Sequence, residues 1–201
     1  MMLLNKKNKL LSILFLSFFL INTSWGDDIR DFQIEGISIG DSALDHFTED
    51  QINRASKTDY PNSKKYQLVH ILTDKSDIYN QFTISIKPND KRYIIYSLGG
   101  DIHFENDLTG CLNKKKEIVE QISSAFSNAV ENSYTHKYTT IDDGKSFSKV
   151  TDLDFEDGSA IRVYCNSWTK ETEEKRNFMD MLTVSITTKE YLDWINYEAY
   201  D

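Results

Sequence analysis

"SFSKVTDLDFEDGSAIRVYCNSW", residues 146–168, is the stretch whose reading decides the fold. Two runs, "SFSKVTDLDF" and "SAIRVYCNSW", flank Glu156-Asp157-Gly158. Apolar side chains at alternate positions predict two β-strands, and the acidic triplet ending in Gly158 predicts a tight turn between them. The loop length follows from which side chains would share a face. A two-residue turn sets Leu153 opposite Arg162 and Asp154 opposite Ile161, mixing charge with apolar surface. A three-residue loop with Gly158 at positive φ sets Leu153 against Ile161 and Asp152 against Arg162, and is the expectation. It also puts Cys165 on the apolar face with Ile161 and Val163.

Upstream, Ile118, Ile122, Ala125, Phe126 and Ala129 recur at helical spacing and predict a helix over 113–131, with Cys111 just before it. Three strands are expected ahead of that helix. They are "YQLVHILT" (66–73), "FTISIK" (82–87) and "RYIIYSLGGDIHF" (92–104), where Gly99-Gly100 suggests a bulge or bend. "FQIEGISI" reads as a further short strand and "SKTDYPNSKK" as loop. Downstream, "TKETEEKR" (169–176) reads as a mobile loop, "MLTVSITT" as a last strand and "KEYLDWINYEAY" as a C-terminal helix. Short turns make the strands antiparallel. The expected class is α+β: an antiparallel sheet with helices packed on one face, from a repeated helix-plus-three-strand unit. The halves fall at 27–105 and 106–201 of a single domain, 27–201.

Residues 1–26 read as a cleaved signal peptide. Lys6, Lys7 and Lys9 precede the apolar run "LLSILFLSFFLI", and Ser24 and Gly26 have the small-x-small spacing that predicts cleavage after Gly26. The run is short for a membrane span, so no stable membrane anchor is expected after cleavage. Losing the three lysines takes the formal charge from −9 to −12. So acidic a chain is a poor nucleic-acid binder, because phosphates recruit cations. The two cysteines, Cys111 and Cys165, form an even count in an exported chain and favour a disulfide; two buried free thiols are the alternative. A bridge across this span would stabilise by roughly 4 kcal/mol on the loop-entropy estimate.

Gly40-Asp41-Ser42 raises the question of a serine nucleophile, since one hydrolase family carries Gly-Asp-Ser near its N-terminus. That chemistry needs a histidine to take the serine proton and an acid to orient it, there as a late Asp-x-x-His. The histidines here are 46, 70, 103 and 136, and none has aspartate three residues earlier. Ser42 with Asp45, Thr48 with Gln51 and Thr187 with Glu190 instead fit helix caps, the second opening a helix over 49–55. A calcium-loop reading of "DLDFEDG" (152–158) fails, because its sixth position is Asp157 and its twelfth Val163. Asp45-His46 and Asp101-Ile102-His103 lack a metal-site spacing, and Lys114 to Lys116 read as a solvated first helical turn. The sequence therefore calls for no catalytic residue, metal or cofactor. Tyr191, Trp194 and Tyr197 leave the last helix aromatic, either packed on the sheet or presented to a partner.

"IEGISIGDSALDHFTEDQI", "KVTDLDFEDGSAIRVYC" and "LTVSITTKEYLDW" resemble segments of a family of short exported proteins of marine alphaproteobacteria. The resemblance covers most of the chain beyond residue 26, and both cysteines fall at that family's usual places. It implies a bacterial, periplasmic location and supplies no activity and no functional residues. The order of elements is also similar, more weakly, to β-lactamase-inhibitor-like and small outer-membrane-assembly proteins. The expected function is that of a soluble periplasmic protein binding another envelope component without catalysis. The alternatives are a hydrolase with a site assembled from distant residues and a carrier of a small ligand. A polar cleft with a histidine or paired carboxylates favours the hydrolase, an apolar cavity the carrier, and an exposed aromatic patch the binding protein.

Overall fold

The computed structural model describes residues 29–73 and 76–200; the expected signal peptide, 1–26, lies outside them. Eight strands form one antiparallel sheet in the order β1-β2-β3-β4-β8-β7-β6-β5. They are β1 (Ser56–Asp59), β2 (Gln67–Leu72), β3 (Gln81–Ile86), β4 (Ser97–His103), β5 (Val130–Lys137), β6 (Phe147–Asp154), β7 (Ala160–Ser167) and β8 (Met181–Thr187). The helices are α1 (Glu49–Arg54), α2 (Leu108–Ala125), α3 (Thr139–Asp142), α4 (Lys170–Arg176) and α5 (Lys189–Tyr197). The fold is α+β, with each half contributing a four-strand meander and β4 pairing β8 across the middle.

The deciding hairpin has the three-residue loop. Leu153 pairs Ile161 and Asp152 pairs Arg162. Phe155 and Ser159 close the loop through a backbone bond of 3.0 Å, and Gly158 sits at φ +83°. Cys165 on β7 is bridged to Cys111, with Cα atoms 6.1 Å apart. Val69, Ile84, Leu98, Ile186, Ile161, Val163 and Leu153 line the same sheet face and are all but fully buried. Each such aliphatic contributes about 1.5–3 kcal/mol relative to exposure. Ile118, Val119 and Ile122 of α2 and Ile52 of α1 seal this face. This covered face holds the core.

Several expectations are corrected. The unit carries four strands, not three: β1 and β5 lie at the sheet edges with every residue exposed, so neither shows the one-sided alternation that betrays a strand. "FQIEGISI" is a single-bridge turn, Ile34 to Ile37, with Glu35 and Gly36 both at positive φ. Helix α2 starts at Leu108, capped by Asp107, so Cys111 lies in its first turn and Lys114 to Lys116 span its second and third, not its first. Residues 130–131, expected in that helix, belong to β5. The segment 170–176 is helix α4, capped by Thr169 and ended by Asn177 at φ +54°. Gly99 and Gly100 make no bulge, since pairing runs unbroken on both sides of β4. Gly100 is there for room: a Cβ would lie 2.6 Å from the Tyr79 ring.

Candidate functional site

Strand pairing dictates what lies on the other face. Because side chains alternate, residues opposite one another across the ladders form rows. One row reads Ser56, His70, Thr83, Gly99, Ser185, Arg162, Asp152, Asn132. The next reads Leu72, Gln81, Asp101, Thr183, Tyr164, Val150, Tyr134. The middle of this face is floored by small groups, Gly99, Ser185 and Ser97. Helices α1 and α2 lie on the covered face, and α5 reaches only the end of the open one, where it packs near Leu68.

The β5–β8 half of the open face is aromatic. Tyr134 is 44% exposed, the Arg162 side chain is 47% exposed, and Tyr164 and Trp168 are half-buried on the same side of the sheet. Tyr138, just past β5, stacks on Trp168 at 4.5 Å, and Phe178 meets Trp168 at 4.6 Å. These side chains are held in place. Arg162 grips Asp152 through two bonds, of 2.6 and 3.0 Å, and Tyr134 donates to the same carboxylate at 3.2 Å. The Asp152 carboxylate raises the guanidinium pKa still further, so Arg162 is permanently charged. Tyr138 donates to Asn166 at 3.1 Å and also contacts Ser148. Burial pushes the Tyr164 hydroxyl up to about 12, keeping it neutral. Next along the chain from Trp168, Thr169 donates to Asp142, which also accepts from Ser146 and Thr172. Burial pulls the Asp142 pKa upward, but those bonds, the Ser146 ones foremost, outweigh it and hold it at about 2.

The β1–β4 half is a polar relay. Thr58 lies 3.0 Å from His70 Nε2, His70 Nδ1 lies 3.2 Å from Thr83 Oγ1, and Thr83 donates to Asp101 at 3.4 Å. Gln81 and Thr183 also donate to Asp101, at 2.9 and 2.6 Å. Burial lowers the His70 pKa and favours the neutral ring, against the attraction of Asp101, which favours the charged one. Such a chain can orient an imidazole and pass a proton along hydroxyls.

The residues singled out in the sequence lie elsewhere. The Ser42 hydroxyl donates to the Arg92 carbonyl at 2.6 Å and accepts from Leu44 N–H at 3.2 Å, capping a single 3-10 turn over Ala43–Asp45. His46 points at Asp41, 3.1 Å away. Thr48 and Gln51 form a reciprocal capping box on α1. The cap of α5 is Thr188, not Thr187, because Thr187 is still paired in β8 opposite Ser97. Of the two alternatives for α5, packing holds for Tyr191 and Trp194, which therefore offer no partner surface. Tyr191 is 5% and Trp194 0% exposed, packed with Tyr60 and Tyr66. Trp194 Nε1 donates to Ser63 at 2.9 Å, and the Tyr60 and Tyr191 hydroxyls meet at 2.5 Å. Tyr197 alone of the three is exposed, lying roughly 120° around the helix from Tyr191.

Asp45 and His46 border a cleft of about 330 Å³ whose apolar wall is Phe47, Ile71 and Phe82. Among the described residues, no cluster of three or more His, Cys, Asp or Glu side chains is arranged to hold a metal ion, and no helix is long and apolar enough to cross a membrane. The sequence reading missed Tyr134, Tyr138, Tyr164 and Trp168. For Tyr164 and Trp168 the signal was present in "SAIRVYCNSW", where Arg162, Tyr164, Asn166 and Trp168 occupy the alternate positions left by Ile161, Val163 and Cys165; Tyr134 and Tyr138 lie on and just past an edge strand that no alternation marks. No protein family, curated protein or solved structure matches this chain.

Proposed function

We propose that this chain is an exported, periplasmic binding protein that docks another envelope protein across the aromatic half of its open sheet face. The observation that carries the reading is the set Tyr134, Tyr138, Tyr164, Trp168 and Arg162 on one side of the sheet, away from both core helices. Tyr, Trp and Arg are the residue types that dominate binding energy at protein interfaces. Here Asp152 holds Arg162 and Tyr134, and Asn166 holds Tyr138, which lowers the ordering cost of association. The disulfide Cys111–Cys165 supports an oxidising compartment.

The test places a photo-cross-linking amino acid at residue 134, 162 or 120 in cells. Glu120 is exposed on α2, on the far side of the sheet. One envelope protein captured from 134 and 162, absent from 120 and lost in Trp168→Ala, is the expected result. Equal capture from all three positions overturns the reading. The hydrolase alternative is favoured by one observation, the relay from Thr58 through His70 and Thr83 to Asp101. Ester hydrolysis abolished by His70→Ala in a folded protein would support it.

A further inference from the structure

Six strands of the sheet are paired on both sides; β1 and β5 are its edges. Folded proteins shorten, cover or charge an edge to prevent chance pairing. The β1 edge is short, four residues. The β5 edge is eight residues long and every one is exposed. Its sequence, "VENSYTHK", contains no proline or glycine, and Glu131 balances Lys137 in a chain of net charge −9. We propose that β5 is a self-complementary edge on which a second copy of this chain pairs antiparallel, about a two-fold axis at Tyr134.

The register follows from symmetry. A two-fold perpendicular to the sheet keeps each residue on its own face, so opposed residues differ by an even number and the axis passes through one residue. With the axis at Tyr134, Glu131 opposes Lys137 of the second copy, twice by symmetry. Asn132 then opposes His136, and Ser133 opposes Thr135. With the axis at Ser133, Glu131 meets Thr135 and no opposite charges face each other. With the axis at Thr135, Glu131 has no strand residue opposite it. Opposed unlike charges stabilise a cross-strand pair and like charges oppose it, so the axis at Tyr134 is favoured over both neighbours. Ser123 of the same chain donates to one Glu131 oxygen at 3.1 Å, leaving the other for Lys137. In this register the open faces of the two copies run on as one surface with Tyr134 at its centre. The inference rests on the edge, independently of what the open face binds.

Sedimentation velocity from micromolar to millimolar protein tests it. The expected result is a concentration-dependent dimer, weakened about tenfold or more by Glu131→Lys or Lys137→Glu alone and restored in the double reversal. Register is tested by cysteine placement, because both native cysteines are consumed in the disulfide. Tyr134→Cys should cross-link two copies under mild oxidation. Asn132→Cys and His136→Cys, each about 14 Å from its own copy in this register, should not. A monomer at every concentration, a dimer indifferent to the single reversals, a double reversal that fails to restore it, or equal cross-linking at 132, 134 and 136 overturns the proposal.

Discussion

Two aromatic clusters of similar composition sit at opposite ends of this molecule. Tyr60, Tyr66, Tyr191 and Trp194 gather under α5, and Tyr134, Tyr138, Tyr164 and Trp168 spread over β5–β8 and their flanks. Under α5 the rings meet edge to face and are sealed: Trp194 is fully buried, and burial with the neighbouring Tyr191 drives the Tyr60 hydroxyl pKa upward. On the open face the rings are half-buried or exposed, and polar neighbours rather than a helix hold them. Composition is the same and cover is not. An aromatic cluster becomes core when an element lies across it, and remains available when only hydrogen bonds position it.

The contrast can be broken most directly by truncation. Trp194→Ala should destabilise by about 3–5 kcal/mol in urea unfolding, from lost burial and the cavity left behind. Trp168→Ala should cost well under half of that while abolishing partner capture. Equal losses of stability would collapse the distinction between the clusters.

The disulfide sharpens the same comparison from the covered side. Replacing Cys111 and Cys165 together by Ala should cost about 2–4 kcal/mol. Hydrogen exchange should then show the gain in amide opening concentrated on α2 and β7, with the α5 cluster little changed.

Among the polar supports, Asp152→Ala should reduce stability by no more than about 1 kcal/mol, since its partner Arg162 is nearly half exposed. It should weaken binding by more than its stability cost, because Arg162 and Tyr134 lose their shared anchor. Calorimetric unfolding set beside the binding affinity of the captured partner separates the two.

Acid gives the smallest effect. Asp142 is held at about 2 when folded, below the ordinary carboxylate value near 4. A depressed folded pKa means its contribution is present above pH ~4 and lost as pH falls through the folded value. Between about pH 4 and 2 the α3–α4 corner, tied to Thr169 next to Trp168, should loosen, shifting tryptophan fluorescence. In Asp142→Asn that acid step should be absent; an unchanged step would remove Asp142 from the account.

The interior strands were legible because burial is one-sided. Ile161, Val163 and Cys165 alternate with Arg162 and Tyr164, and that pattern sets both the strand and, through Leu153 and Asp152, the length of its turn. Thr48 with Gln51 announces α1 in the same local way. Edge strands escape such reading. Ser56–Asp59 and Val130–Lys137 bury nothing on either side, so no periodicity marks them. The cap at Thr188 was missed by one residue because Thr187 and Thr188 are chemically alike, and only the β8–β4 ladder shows which is still strand.

The sequence by itself determined the alternation of the inner strands, the three-residue turn at Gly158, the helical seams of α2 and α5, and the cysteine that faces the core. All of these depend on residues close in the chain. Tertiary structure decided that Tyr191 and Trp194 are covered while Tyr134 and Trp168 are not, and that Asp101, His70 and Thr183 share one hydrogen-bonded face. Those outcomes depend on which strands lie side by side, and the pairing of β4 with β8 joins residues as far apart as Ser97 and Thr187. Local pattern can specify which side of a strand is apolar, but only the assembled sheet determines what comes to lie over it.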